Sequence, residues 1–220
     1  MLEVILDTET TGLSTKENHR ILEIGCIELN DQIITGKNFH KYINPERKVS
    51  PDAYKIHGYT DKFLEGKEKF SEIVDKFLSF IKDKKLIIHN APFDLSFLNY
   101  ELKKINKPSI SRTNVIDTLE LARQKFPGAQ NSLDALCKRF NIDNSRRIKH
   151  SALVDCELLK EVYINLLDQK EPKLNLENSG IINFKFKENM NSIRQIIKPS
   201  QEELNLHKKY LNNQLKKNFY

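Results

Sequence analysis

Apolar and polar residues alternate along this chain in two rhythms, and the change from one to the other organises it. Near the N-terminus, Val4-Ile5-Leu6 reads as a buried strand whose end carries Asp7 and Glu9. "RILEIGCIEL" (Arg20 to Leu29) alternates with β-branched residues, and "QIITGKNFHKYI" (Gln32 to Ile43) follows across Asn30-Asp31, a hairpin-type break. The three runs predict an antiparallel meander. The next stretch, "NPERKVSPDAYKIHGYT", is polar. Within it Ser50-Pro51 supplies an N-cap and a first-turn proline for a short helix ending near His57-Gly58.

From Phe70 the period lengthens. Phe70, Ile73, Val74, Phe77, Leu78 and Ile81 form one helical stripe. "KLIIHN" is a short buried strand stopping at His89-Asn90, and "APFDLSFLNYELKKI" opens a helix with Pro92 in its first turn and Asp94 one turn in. "NVIDTLELARQKF" reads as strand then helix, "SLDALCKRFN" as a helix, and a last helix spans about Ser151 to Leu167. A meander followed by alternating helices and strands predicts an α/β fold, a mixed five-stranded sheet flanked by helices.

Composition adds a boundary. Residues 1–167 hold 26 Lys+Arg against 24 Asp+Glu, whereas residues 168–220 hold 10 against 6 together with nine asparagines. The pattern predicts one domain over 1–167, a flexible polar linker over 168–198 and a C-terminal helical segment over 199–220. The net charge of +6 favours a polyanionic partner only weakly. No apolar stretch approaches the ~20 residues of a membrane span, and the start lacks the pattern of a signal peptide. Cys26, Cys137 and Cys156 are widely spaced with no CxxC, which argues against a disulfide framework and a zinc site. They read as reduced thiols of a cytoplasmic protein.

The chemistry gathers at predicted element ends. Asp7 and Glu9 lie two apart on one strand and therefore share a face, where they repel. Thr8, Thr10, Thr11 and Gly12 beside them suit a site for a cation and a phosphate. Asp94 opens one helix, and His150 and Asp155 bracket the start of another. Four carboxylates in one cleft cannot all stay charged without compensation. Two Mg²⁺ or Mn²⁺ ions would supply it, and oxygen donors favour such hard ions over zinc. His150, as an imidazole, suits the removal of a proton from water. The set points to metal-dependent phosphodiester hydrolysis.

"DTETTGL", "HNAPFD" and "HSALVD", in this order, resemble the three motifs of the DEDDh exonucleases over roughly residues 1–167. The resemblance implies an RNase H-like fold and 3′→5′ hydrolysis releasing nucleoside monophosphates. It implies metal-ligand roles for Asp7, Glu9, Asp94 and Asp155, substrate contacts from Asp7, Glu9 and Asp155, and a general base at His150. It also implies that "SPDAYKIHGYTD" lines the terminal-nucleotide subsite through Asp52 and His57, although a plain capped helix there stays open. Phe93 could stack on a base or belong to the core.

Within the family, "DTETTG" followed by "IHG" is similar to the proofreading exonucleases of bacterial replicative polymerases, which implies mismatched or single-stranded DNA 3′ ends as substrate. RNA-trimming members share the five positions, so a stand-alone RNA-processing exoribonuclease stays open. The tail bears on that choice. Ser200 and Glu203 form a capping box, and Leu204, His207, Leu211 and Leu215 form a stripe that a short helix cannot bury alone. The resemblance makes the polymerase catalytic subunit its partner. "QKEPKLNL" (169–176) is a candidate sliding-clamp peptide, without the usual glutamine spacing or closing aromatic residue.

Overall fold

The computed structural model of the chain describes residues 1–145, 147, 149–167 and 199–214. The chain divides into two compact units, Met1–Leu174 and Asn175–Tyr220. The expected linker 168–198, with the clamp-like peptide 169–176, lies outside the described residues.

The first unit is built on a five-stranded sheet. Strands β1 (Leu2–Thr10), β2 (Ile21–Asn30) and β3 (Ile33–Tyr42) form the antiparallel meander, and β4 (Lys85–Ile88) and β5 (Val115–Asp117) add on parallel to β1, giving the order β3-β2-β1-β4-β5. β1 carries Asp7 and Glu9 on its end and runs on to Thr10, because β2 offers a backbone ladder that long, pairing Asp7 with Gly25 and Glu9 with Glu23. The apolar run stops before the hydrogen bonding does. One expectation needs correction. The hairpin turns one residue later than expected, at Asp31-Gln32 (φ 48° and 68°), while Asn30 stays in the ladder opposite Ile33. Two successive positive φ values suit the twist of a tight hairpin.

Helices α1 (Pro51–His57), α2 (Asp61–Glu65), α3 (Phe70–Ile81), α4 (Ala91–Lys104), α5 (Thr118–Lys125), α6 (Leu133–Phe140) and α7 (Ala152–Leu166) follow. α1 begins and ends as predicted: Ser50 Oγ accepts from Ala53 N at 3.2 Å, and Gly58 closes it at φ 78°. α2 is additional. Its five residues bury Leu64 alone, too short a run to show a period, and Thr60 caps it.

Successive side chains of β1 point to opposite faces. Val4 and Leu6 pack against Phe77 of α3 and Phe97 and Leu98 of α4. Ile5 packs on the other face with Leu136 of α6 and Leu159 and Val162 of α7. Asp7 and Glu9 therefore continue the face that α7 covers. α7 comes closest at Gly25, where a Cβ would meet the Ala152 backbone carbon at 2.5 Å and the Leu153 nitrogen at 2.6 Å.

In the second unit, α8 (Gln201–Gln214) starts on the predicted capping box, with Glu203 N donating to Ser200 Oγ at 3.3 Å and Ser200 N to Glu203 Oε2 at 2.8 Å. Leu204, Leu206 and Tyr210 are exposed along it, so its apolar arc is wider than the expected stripe. Leu215 lies outside the described residues.

Candidate active site

A cleft of about 590 Å³ opens at the C-terminal ends of the adjacent parallel strands β1 and β4, and Asp7, Glu9, Asp94, His150 and Asp155 all line it. Each arrives on a different support. Asp7 and Glu9 are held by the β1–β2 ladder. Asp94 sits in the first turn of α4, whose start is tied to the end of β5: Asp117 Oδ1 accepts from Asn90 N at 3.0 Å and Oδ2 from Ala91 N at 3.2 Å. Thr8 then aims Asp94, donating to Oδ1 from its backbone N at 3.0 Å and its hydroxyl at 2.7 Å. Asp155 lies in the first turn of α7, with His150 just before that helix.

The crowding of acids is visible in their proton affinity. Burial, then Asp94, Glu9, Asp155 and Glu23, raises the Asp7 carboxyl well above its usual range. Burial followed by Asp155 and Glu23 pushes Glu9 up to about 8, with Arg147 pulling the other way. Burial raises Asp94 to about 7 against its Thr8 hydrogen bonds. Asp155 differs. Its burial also acts upward, but hydrogen bonds from His150 and Arg147 outweigh it and hold the carboxyl below its usual range.

Arg147 is the cation already in place. Its Nε and Nη2 reach the two oxygens of Asp155 at 2.5 and 2.7 Å, Nη1 reaches Asp134 at 2.6 Å, and Nη2 lies 2.8 Å from Nδ1 of His150. A guanidinium clamped where acids converge shows what the site requires, namely positive charge. Glu9, His150 and Asp155 each place one ligand atom within 4.8 Å of the others. Carboxylate oxygens with raised proton affinity fit hard divalent cations.

The remaining sequence candidates fall elsewhere. Asp52 is exposed on α1 and pairs with Lys55 at 2.8 Å. His57 is buried, its Nδ1 taken by Tyr59 N at 3.0 Å and its Nε2 without a hydrogen-bond partner among the described residues. α1 reaches the cleft through Ile56 instead. The Thr10 hydroxyl donates to Gly12 O at 2.7 Å, and Thr11 Oγ1 lies 3.0 Å from His19 Nδ1, so both hydroxyls shape their own turn. Phe93 both lines the cleft and packs on the core, its ring 5.0 Å from that of Phe97. Two further residues belong to the site: Arg147, a basic residue three positions before His150, and Glu23, one of two acids, with Glu28, buried in the mostly apolar strand β2.

Residues 4–163 match the model of the family described as Exonuclease (RNase T type), and the chain belongs to that family. It is a 3′→5′ exonuclease, a phosphodiester hydrolase, on the RNase H-like fold of the DEDDh enzymes. Among its relatives, the DNA polymerase III subunit epsilon of Rickettsia conorii is 49% identical over 222 residues, covering 97% of this chain and 96% of the relative. The protein of the same name from Haemophilus influenzae is 40% identical over 232 residues, covering 95% and 89%. A solved structure of exonuclease X in complex with 5′ overhanging duplex DNA superposes with a TM-score of 0.61 at 26% identity, covering 76% of this chain and 92% of that one. The nuclease domain of 3′hExo, a DEDDh member bound to rAMP, shares the fold with a TM-score of 0.67 at 19% identity, over 77% and 92%. No helix among the described residues is long and apolar enough to cross a membrane.

Gly25 offers a direct check on how α7 delivers Asp155. Gly25→Ala forces the first turn of α7 off the sheet, because the backbone atoms it meets cannot rotate away. Overpacking of this kind costs about 1–3 kcal/mol. Cleavage should fall at least about tenfold with it, since misplacements near 1 Å are expensive in catalysis. Thermal melts and a cleavage assay read both effects, and an alanine variant with unchanged rate would mean that α7 tolerates the shift.

Proposed function

We propose that this chain is the proofreading exonuclease of a bacterial replicative DNA polymerase, removing mismatched 3′-terminal nucleotides as nucleoside monophosphates. The observation that carries the reading is the cleft itself: three buried carboxyls with raised proton affinity, a fourth clamped by an arginine, and a histidine at the rim. In this reading Asp7, Glu9, Asp94 and Asp155 hold two divalent cations, Mg²⁺ or Mn²⁺. Once bound, they would offset the charge of acids and phosphate and polarise the scissile group.

The protein's own groups do the rest. His150, with a side chain 41% exposed at the cleft mouth, takes the proton of the attacking water. The water oxygen bonds to phosphorus, and the bond from phosphorus to the 3′-oxygen of the preceding nucleotide breaks. That oxygen recovers a proton, and the terminal nucleotide leaves with its 5′-phosphate. Arg147 holds both oxygens of Asp155 and lies against Nδ1 of His150, so its withdrawal would free further lone pairs on both for a cation and a proton. Phe93 and Ile56 supply the apolar wall against which a terminal base can stack. Asp52 and His57 stay in the proposal only as residues of the adjoining helix, since neither lines the cleft.

The polymerase assignment is supported by the epsilon relatives, whose likeness runs through the tail. It is also supported by α8, whose exposed Leu204, Leu206 and Tyr210 suit docking on the catalytic subunit. A sliding-clamp contact through 169–176 remains part of the proposal, as does a cytoplasmic location. The test uses 5′-labelled primers with Mg²⁺: a 3′-mismatched duplex, its paired version and single-stranded RNA of the same sequence. Faster trimming of the mismatch is expected, because a paired end must first give up ~1–2 kcal/mol per stacked step. Preference for the RNA would replace proofreading with RNA processing.

A further inference from the structure

Glu23 is fully buried in β2, directly opposite Glu9 in the ladder, and the chemistry above makes no use of it. A carboxyl without exposure needs several donors to persist, and four converge here. Ser151 Oγ donates to Oε1 at 2.9 Å and Ala152 N to Oε2 at 3.1 Å. The Tyr59 hydroxyl donates to Oε2 at 2.9 Å, and Nε2 of His40 faces Oε1 at 2.7 Å.

The donors come from three separate places. Ser151 and Ala152 immediately follow His150 and are the N-cap and first residue of α7. Tyr59 follows the end of α1, and His40 stands on β3. The loop bearing His150 touches α1 as well: His150 N donates to Ile56 O at 3.3 Å, and Lys149 Nζ to Lys55 O at 2.9 Å. His150 is thus suspended between α1 on one side and the start of α7 on the other, and Glu23 bonds to the start of α7 and to Tyr59, two residues past the end of α1. The Tyr59 ring is itself stacked on His57 and Phe63 with centroids 5.0 and 5.7 Å away, so that anchor is stiff. The buried His57 finds its place here, as backing for Tyr59.

We infer that Glu23 is a positioning residue for His150: by fixing the backbone just after it and the end of α1 beside it, Glu23 sets where the imidazole stands in the cleft. The inference rests on His150 acting as the base. Glu23→Gln keeps the shape but removes the charge and one acceptor oxygen. On the Oε2 side its NH₂ would meet the Ala152 N–H, and on the Oε1 side it fits only if Ser151 Oγ and His40 Nε2 both turn to accepting.

The experiment is a double-mutant cycle on the full-length protein, with kcat and KM for a single-stranded oligonucleotide and a thermal melt for each variant. Glu23→Gln is expected to lower kcat about 10- to 100-fold with KM within about twofold, the pattern of a lost transition-state contact. In a His150→Gln background the same change should cost less than about twofold, because the group it positions is gone. Losses that multiply would show that Glu23 acts independently of His150, and an unchanged kcat in Glu23→Gln would overturn the inference outright. If His150→Gln alone leaves kcat intact, the base reading fails and the positioning role with it. Should Glu23→Gln not fold, Tyr59→Phe and Ser151→Ala each remove one donor, and the cycle applies to them unchanged: a fewfold loss of kcat that disappears in the His150→Gln background supports the inference, and no loss or a multiplicative one refutes it.

Discussion

Asp7→Asn should cut cleavage by on the order of 10³-fold and, in the same protein freed of metal, raise the melting temperature. The first effect follows from the role proposed for the carboxylate. Charge stabilisation by a bound cation is worth several kcal/mol in the transition state, and each ~1.4 kcal/mol is tenfold in rate. The second follows from the crowd around Asp7, where burial and then Asp94, Glu9, Asp155 and Glu23 all work against its negative charge. An amide of the same shape removes the cost of keeping an acid there, whether as buried charge or as a retained proton, and keeps the β1–β2 ladder, so a gain of about 0.5–2 kcal/mol is expected, the usual size for a single stabilising substitution. A residue whose removal helps the fold and ruins the reaction is retained for the reaction. Melts in EDTA beside a primer-cleavage assay give both numbers. An inactive variant that also melts lower would make Asp7 a structural residue and weaken the metal reading with it.

Much of this site could be read from spacing alone. Asp7 and Glu9 share a face because they are two apart on a strand, and Pro92 and Ser151 place Asp94 and Asp155 in first turns, where helix starts favour acids. The end of β1 was not legible in the same way, since a ladder is made of backbone and Thr8 to Thr10 carry no apolar signal. Arg147 and Glu23 were missed for a deeper reason. Glu23 acts through partners far off in sequence, Tyr59 and Ser151, 36 and 128 positions away, whereas Arg147 acts on neighbours 3 to 13 positions away through a loop whose path no periodicity marks. An acid inside a doubly buried strand is nonetheless a flag that sequence can raise, because buried charge persists only where something compensates it. Asp52 and His57 show the converse: a motif can be read correctly as a capped helix while its polar residues turn away from the cleft.

Between about pH 6.5 and 8 the metal-free protein should lose stability as pH rises, and excess Mg²⁺ should remove most of that loss. Native Glu9 holds its proton up to about 8, Asp94 up to about 7, and Asp7 higher than its usual range, burial being the leading cause for all three. In the unfolded chain these carboxyls have lost their protons by about pH 6. The native state therefore binds more protons across the window, and raising the pH favours unfolding. Other groups do not reverse the sign there. Asp155, held low by His150 and Arg147 against its own burial, contributes stability that is lost only in acid. His57 and His89, lowered first by burial, oppose folding as pH falls below about 6.5 and are mostly neutral in both states above it. Buried Cys26 and Cys156 add to the loss only beyond about 8.5, where unfolded thiols ionise. Melting curves at intervals across the window, in EDTA and in Mg²⁺, test the slope, and Asp7→Asn should flatten it. Calorimetric titration of the metal in two buffers of different ionisation enthalpy should then show proton release on binding, since the ligands must be deprotonated. Binding with no proton release would mean the metal sits among carboxyls that were already ionised, and a melting temperature that rises with pH in EDTA would place the crowded acids outside the stability balance altogether.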